Sequence, residues 1–167
     1  MADAFSDFLA TPSGETFLRL REDVLASPAY DFQSDELESL SELVEAGQFD
    51  AAADQFSALM PAWLLSPRAH LLAGRAAAQS GDADRAQLER DFAQACLRGL
   101  RQSGDGSAAR PYRVSHVADE YDLLESLGRS FASQRQVSAS EGVFDLITCT
   151  DGSELWFEIP IASAPPR

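Results

Sequence analysis

Two histidines, His70 and His116, are the side chains of this 167-residue sequence best suited to move a proton near neutral pH. His116 precedes Asp119 and Glu120, and either carboxylate could orient its ring as a general base. The alternative is a packed strand histidine, because alternate positions before His116 are apolar. His70 lies in a run of alanine and leucine, which favours a packed role.

One functional hypothesis is a site between a small sheet and the helices, formed by His116, Tyr121 and Asp145. Imidazole, phenol and carboxylate groups are used by proteins to transfer protons or to orient a small polar ligand. On this hypothesis, the protein is an enzyme or a small-molecule-binding protein.

The other reactive residue types lack the spacing of a known catalytic or cofactor site. Cys96 and Cys149 form neither a metal motif nor a disulfide framework, and we interpret both as small buried apolar residues. The segment from Ser103 to Gly106 lacks the strand and lysine of a phosphate-binding loop. With two histidines and no Cys–His cluster, zinc is not expected. We therefore expect no cofactor and no metal, and assign no catalytic residue.

The net charge of −14 limits the classes of partner. Nucleic acid and anionic membranes are both negatively charged, so neither is expected to bind this chain unaided. Residues 1–60 contain 13 acidic residues against two arginines, so the acidity is concentrated in the N-terminal third. That surface either keeps the protein soluble or docks a basic partner.

The sequence also predicts a location in the cytoplasm. Its first ten residues carry acids and no basic n-region, unlike a signal peptide. No stretch approaches the ~18 apolar residues that a membrane span requires.

The residues before the glycine-rich segment at Ser103 are predicted to be helical. Thr11 followed by Pro12, and Ser66 followed by Pro67, are typical of an N-cap and a first helical position. Pro61 predicts a kink or a short second turn. From apolar spacing, the helices are expected over about residues 12–27, 35–46, 49–60, 68–79 and 83–101.

Two copies of one pattern lie 34 residues apart in this helical region. Gly47 recurs as Gly81, and Ala52 recurs as Ala86. The stretch from residue 37 to residue 100 resembles a pair of tetratricopeptide repeats. The resemblance implies a protein-binding groove lined by the first helix of each hairpin, at positions matching Ser34, Leu37, Ser41, Val44, Arg68, Leu71, Arg75 and Ala78.

We therefore predict a non-enzymatic adaptor that binds a protein or peptide through Leu37, Val44, Arg68, Leu71, Arg75 and Ala78. Arg68 and Arg75 lie seven residues apart, so they project from one helix face and could receive a carboxylate-bearing peptide. The alternative is that a glutamate of the preceding helix, Glu38, Glu42 or Glu45, neutralises these arginines within the chain. The oligomeric state cannot be inferred from these patterns.

After Ser103 the pattern changes to short strands and one helix. A strand is predicted from Tyr112 to Val117, and a helix follows with Tyr121, Leu124 and Leu127 on its inner face. A polar strand at about residues 133–139 is typical of a sheet edge.

Asp151–Gly152 predicts a hairpin with a two-residue type I′ turn. This turn places like charges opposite each other at Asp145 and Glu158. Solvent or an arginine such as Arg113 or Arg135 could relieve them, or they could mark a cation site. The other predicted pairs are Thr148 with Leu155, Leu146 with Phe157, Phe144 with Ile159, and Ile147 with Trp156.

A second resemblance covers about residues 102–161. The motifs SGDG, DEYDLLESLG, FDLI and WFEI are similar to those of an uncharacterised bacterial family with helices followed by a small fused sheet. We predict an α+β fold with a tetratricopeptide-like helical region over residues 1–102. A small antiparallel sheet with one helix, residues 103–167, is expected to pack on it as one compact unit.

Overall fold

The computed structural model describes residues 2–32 and 34–160 and has an α+β fold. Helices precede the sheet, as predicted; the part of the predicted second segment beyond residue 160 lies outside the described residues. The helices are α1 (Ala2–Ala10), α2 (Gly14–Leu25), α3 (Glu36–Glu45), α4 (Phe49–Leu59), α5 (Pro67–Gln79), α6 (Ala83–Gln102) and α7 (Val117–Ser126). The strands are β1 (Tyr112–Arg113), β2 (Phe131–Ala139), β3 (Gly142–Cys149) and β4 (Glu154–Ile159).

Helix α2 begins two residues later than its sequence suggested. Ser13, and not Thr11, is the N-cap: its hydroxyl accepts the Thr16 backbone N–H at 3.2 Å. The Thr16 hydroxyl accepts the Ser13 N–H at 3.0 Å, which completes a reciprocal cap. A cap at Thr11 was therefore the wrong prediction, because two satisfied donors outweigh a proline at the first helical position. At α5 the predicted cap is confirmed, with Ser66 as N-cap and Pro67 first in the helix.

The two helical turns that carry the repeated glycines have the same backbone geometry. Gly47 and Gly81 have φ angles of 71° and 85°. In both turns the residue after the glycine donates its N–H to the carbonyl oxygen five residues earlier, at 2.9 Å. This bonding ends a helix in the Schellman manner, which favours glycine. Ala52 and Ala86, the second repeated pair, are both buried.

The sheet is mixed, with strand order β1-β4-β3-β2. The predicted antiparallel sheet was wrong at one edge, because β1 runs parallel to β4. The chain between them, containing α7, β2 and β3, is long enough to permit a parallel neighbour. The predicted first strand is also shorter than expected, since His116 is already the N-cap of α7. The prediction of an edge strand is confirmed by β2.

The β3–β4 hairpin has a three-residue loop, so the predicted register was wrong by one residue. The Gly152 N–H bonds to the Cys149 oxygen at 2.9 Å, and the Cys149 N–H bonds to the Ser153 oxygen at 2.8 Å. Only Gly152, with φ 82°, has a positive φ in this loop. Asp151 accepts the Ser153 N–H at 3.0 Å, which stabilises the longer turn.

The corrected register separates the two acids that were expected to face each other. Asp145 lies opposite Phe157, and Glu158 lies opposite Phe144. Glu158 forms ion pairs with Arg113 at 3.1 Å and with Arg21 at 3.7 Å. Among the described residues no group of three or more His, Cys, Asp or Glu side chains could hold a metal ion.

Buried apolar side chains form two clusters. One joins α3, α4 and α5 with Trp63, which follows α4. The other joins the N-terminal helices to the sheet and includes Phe8, Phe17, Leu20, Val24, Cys96, Leu100, Tyr112, Leu123, Leu124, Ile147, Cys149 and Phe157. Both cysteines are buried and free, as predicted.

Candidate functional site

A pocket of about 600 Å³ lies where α3, the first turn of α5 and the first turn of α7 meet. We call it the α3–α5 groove. Its lining includes Leu37, Glu38, Ser41, Trp63, Arg68 and His116.

Two stacked aromatic rings form part of the groove wall. The Trp63 indole lies on the His116 imidazole, with ring centroids 3.8 Å apart and planes 6° apart. Tyr30 packs on the same imidazole at 5.2 Å. The Trp63 Nε1–H donates to Glu36 Oε2 at 3.3 Å, so the indole is fixed at both its face and its edge.

His116 is held by its backbone and its ring faces, not by hydrogen bonds to its ring. The backbone N–H groups of Ser115 and His116 both donate to Asp119 Oδ2 at 2.9 Å. Neither ring nitrogen has a hydrogen-bond partner within the described residues, although the side chain is only 1% exposed. Burial lowers the pKa of His116 to about 4, so the imidazole is neutral at pH 7. Asp119 therefore does not orient the ring as the general-base hypothesis required.

Arg68 is neutralised within the chain. Its Nε donates to Asp122 Oδ1 at 2.8 Å, and its Nη2 donates to the same oxygen. For Arg68 the alternative drawn from the sequence was correct in kind but wrong in the partner, and within residues 2–32 and 34–160 no ion pair of Arg75 bears it out. The acid comes from α7, which packs on α5, and not from a glutamate of α3.

Half of the eight predicted groove positions line this one pocket, namely Ser34, Leu37, Ser41 and Arg68. Val44 is a core residue at 2% exposure and is not available to a partner. Leu37 is also buried in the core, although it reaches the pocket wall. Three positions lie on the exposed face of α5 outside the pocket: Leu71, Arg75 and Ala78.

The structure brings together two of the three residues of the alternative site. The Tyr121 hydroxyl donates to Gln134 Oε1 at 2.9 Å, and Gln134 Nε2 donates to Asp145 Oδ2 at 2.7 Å. Gln134 Nε2 also reaches Glu120 Oε2 at 3.3 Å. His116 is instead stacked on Trp63. Gln134 carried no sequence signal for this role, because it comes from the edge strand β2.

The orientation of α7 explains why Tyr121 was misplaced by the sequence pattern. Tyr121 is 36% exposed, whereas Leu123 and Leu124 face the core. Asp119 and Glu120 are also buried on this helix. A helix that buries acids as well as leucines does not show its inner face in an apolar pattern.

Burial changes the protonation of these acids. Desolvation raises the pKa of Asp119 to about 7. Desolvation, with the nearby Asp145 carboxylate, raises the pKa of Glu120 to about 9. Glu120 is therefore protonated at neutral pH. Desolvation also raises the pKa of Asp145.

The raised pKa of Glu120 predicts a loss of stability with rising pH. The folded chain keeps this proton up to about pH 9, whereas an unfolded glutamate loses it near pH 4.5. The free energy of unfolding therefore decreases as pH rises between these values, by at most about 1.4 kcal/mol per pH unit. His116 opposes this trend only below its ordinary value of 6.5.

We therefore expect the melting temperature to fall between pH 6.5 and pH 9, and Glu120→Gln to remove most of that fall. Thermal unfolding monitored by circular dichroism at several pH values measures it. Glu125→Gln, an exposed acid of the same helix, is the matched control. An unchanged pH slope in Glu120→Gln would show that this carboxyl is already ionised in the folded protein.

His70 has the packed role that its sequence context favoured. Its Nδ1 lies 2.6 Å from Glu89 Oε2, and its Nε2 lies 2.8 Å from the Leu64 oxygen. The ring stacks on Phe92 at 4.7 Å. Both nitrogens are thus used inside the fold.

Comparison with protein-family models, with curated proteins and with solved structures finds no match. Across residues 2–32 and 34–160, no helix has the length and apolar character needed to cross a membrane.

Proposed function

We propose that this protein is a non-enzymatic adaptor that binds a protein or peptide segment in the α3–α5 groove. The observation that carries the proposal is the pocket of about 600 Å³, which is lined by α3 and by the start of α5. These are the first helices of the two hairpins, where the tetratricopeptide resemblance implies a binding surface. A pocket of this volume accepts a few side chains of an extended or helical segment.

The shape of the hairpins supports the same proposal. The turns at Gly47 and Gly81 have matching hydrogen bonds at the same 34-residue spacing. Helix α3 contacts both α4 and α5, and α5 contacts α6. Neighbouring helical hairpins that contact each other in this way leave one face of their first helices open.

The chemistry of the groove favours binding over catalysis. The His116 ring packs against Trp63 and Tyr30, and within the described residues its nitrogens bond to no carboxylate. Arg68 is already paired with Asp122. A catalytic base needs an orienting partner and access to substrate, and this arrangement supplies neither to the ring nitrogens.

A second candidate function is a small-molecule-binding protein or enzyme that uses the network of Tyr121, Gln134, Glu120 and Asp145. The observation in its favour is the close pair of carboxyl groups, of which one is held protonated by burial. Such a pair can act as general acid and base. Gln134 already bonds to both carboxyl groups, so we favour the adaptor.

A steric block in the groove tests the proposal. Peptides are first selected from a random display library against the wild-type protein. Ser41 lines the groove, whereas Ser39 is exposed on the same helix outside it. We expect Ser41→Phe to weaken binding of the selected peptides at least about tenfold, because the ring occupies the pocket, and Ser39→Phe to leave it unchanged.

Failure to select any peptide, or equal binding by the two variants, would contradict the proposal. Circular dichroism and the melting temperature of each variant establish that both are folded. Glu120→Gln is measured in the same binding assay. Weaker peptide binding by this variant would indicate that the binding site is the network of Tyr121, Gln134, Glu120 and Asp145.

A further inference from the structure

We propose that the α3–α5 groove recognises a basic side chain, an arginine or lysine, in the segment that it binds. Asp35 and Glu38 would hold the cationic group at the rim, and the aromatic floor would receive the aliphatic stem. This inference rests on the proposed adaptor function and specifies the chemistry of the partner.

The charges around the groove are negative once internal pairs are counted. Asp35 and Glu38 both line it, and both are exposed. They lie three residues apart at the start of α3, so their carboxylates are neighbours on one helix face. Asp35 is the N-cap residue but its side chain caps no backbone N–H. Arg68, the basic residue of the lining, is offset by Asp122.

Within the described residues, the groove offers no free positive charge to a carboxylate. Arg68 is paired with Asp122, and Arg75 lies on α5 outside the groove. The carboxylates of Asp35 and Glu38 accept N–H donors, which a guanidinium or ammonium group supplies and a carboxylate does not. The groove chemistry therefore opposes the carboxylate-bearing peptide that Arg68 and Arg75 suggested in the sequence.

The apolar part of the lining suits the stem of a long basic side chain. Leu37, Trp63 and the half-buried Phe32 line the pocket together with Ala118. Arginine and lysine side chains lay their methylene groups along such surfaces while the charged end stays at a polar rim. An adjacent aromatic ring adds attraction for a cation.

The test uses synthetic nonapeptides of alanine and glycine with one central arginine, lysine, citrulline or glutamate. Citrulline has nearly the shape of arginine without its charge. Binding is followed by the indole N–H signals of Trp63 and Trp156, the two tryptophans of the chain. Trp63 lines the groove, whereas Trp156 belongs to β4, so its signal is an internal control.

We expect the arginine and lysine peptides to shift the Trp63 signal and to leave the Trp156 signal in place. The citrulline and glutamate peptides should bind at least about tenfold more weakly, because the charge-assisted hydrogen bonds are lost. The double variant Asp35→Asn, Glu38→Gln should weaken the arginine peptide by a similar factor.

The charge-matched control is the double variant Glu42→Gln, Glu45→Gln, which removes two exposed acids of the same helix outside the groove. It should change the affinity little. Equal weakening by the two double variants would show general electrostatic attraction and overturn the inference. Equal binding of arginine and citrulline peptides, or no shift of Trp63 by any of them, would also overturn it.

These results separate this inference from the adaptor proposal. Neutral or acidic peptides that bind wild type, and lose binding in Ser41→Phe, would leave the adaptor proposal standing with the wrong partner chemistry. Peptides that bind equally to wild type and Ser41→Phe would contradict both.

Discussion

A chain that ends at Gln102 is expected to lose its cooperative unfolding transition and to associate in solution. The core that contains Phe17 and Leu100 also contains Ile147 and Phe157 from the sheet, so truncation removes one side of that core. Phe17 and Leu100 are each only 1% exposed in the whole chain. Exposing apolar core surface to water costs about 25 cal/mol of free energy per Å². A fragment with such a surface tends to associate with other copies of itself.

Analytical ultracentrifugation and a thermal melt of the fragment 1–102 measure this expectation, with the full chain as the reference. In the full chain, Phe157→Ala weakens the same core without removing the sheet. It should lower the free energy of unfolding by about 3 to 5 kcal/mol while unfolding remains a single transition. A monomeric fragment with a sharp melt would show instead that the helices and the sheet are two independent domains.

Trp63→Ala should be among the most destabilising point changes, at about 3 to 5 kcal/mol. The indole is 2% exposed and belongs to the core of α3, α4 and α5. It also covers the face of His116, so its loss leaves both a cavity and an uncovered imidazole. The melting temperature should fall by on the order of 10 °C.

Trp156→Ala is the control, because Trp156 is only half buried and contacts Phe144 edge to face at 6.1 Å. Its effect on chemical denaturation should be clearly smaller. If the two alanine variants unfold at the same denaturant concentration, Trp63 does not anchor the groove as described.

The sequence predicted the features that depend on neighbouring residues. The Ser66–Pro67 helix start and the glycine turns at Gly47 and Gly81 are local, since each is fixed by a cap or by a positive φ. The cap at Ser13 was missed because its partner Thr16 is not the Glu or Gln of the usual capping box.

Features that depend on distant residues could not be derived from the sequence. The Arg68–Asp122 pair joins residues 54 positions apart, and no pattern in one sequence identifies such a partner. The stacking of Trp63 on His116 depends on how α7 packs against the helices. For the hairpin, Asp151–Gly152 suits both two- and three-residue loops, and the choice moves every pair in the register.

The groove combines predicted and unpredicted parts for the same reason. The tetratricopeptide resemblance assigned Leu37 and Ser41 to the groove, and both line the pocket. The resemblance also assigned Val44 to the groove, but this residue packs inside the core. His116 and Trp63 come from segments outside the repeated helices, so the repeat pattern carried no information on them.

The most direct test of the groove as the binding surface is the NMR footprint of a library-selected peptide on the isotope-labelled protein. We predict that the shifted signals cluster at α3, at the Trp63 indole and at the first turn of α7. Shifts that cluster instead at Tyr121, Gln134 and Asp145, with α3 and Trp63 unmoved, would contradict the account.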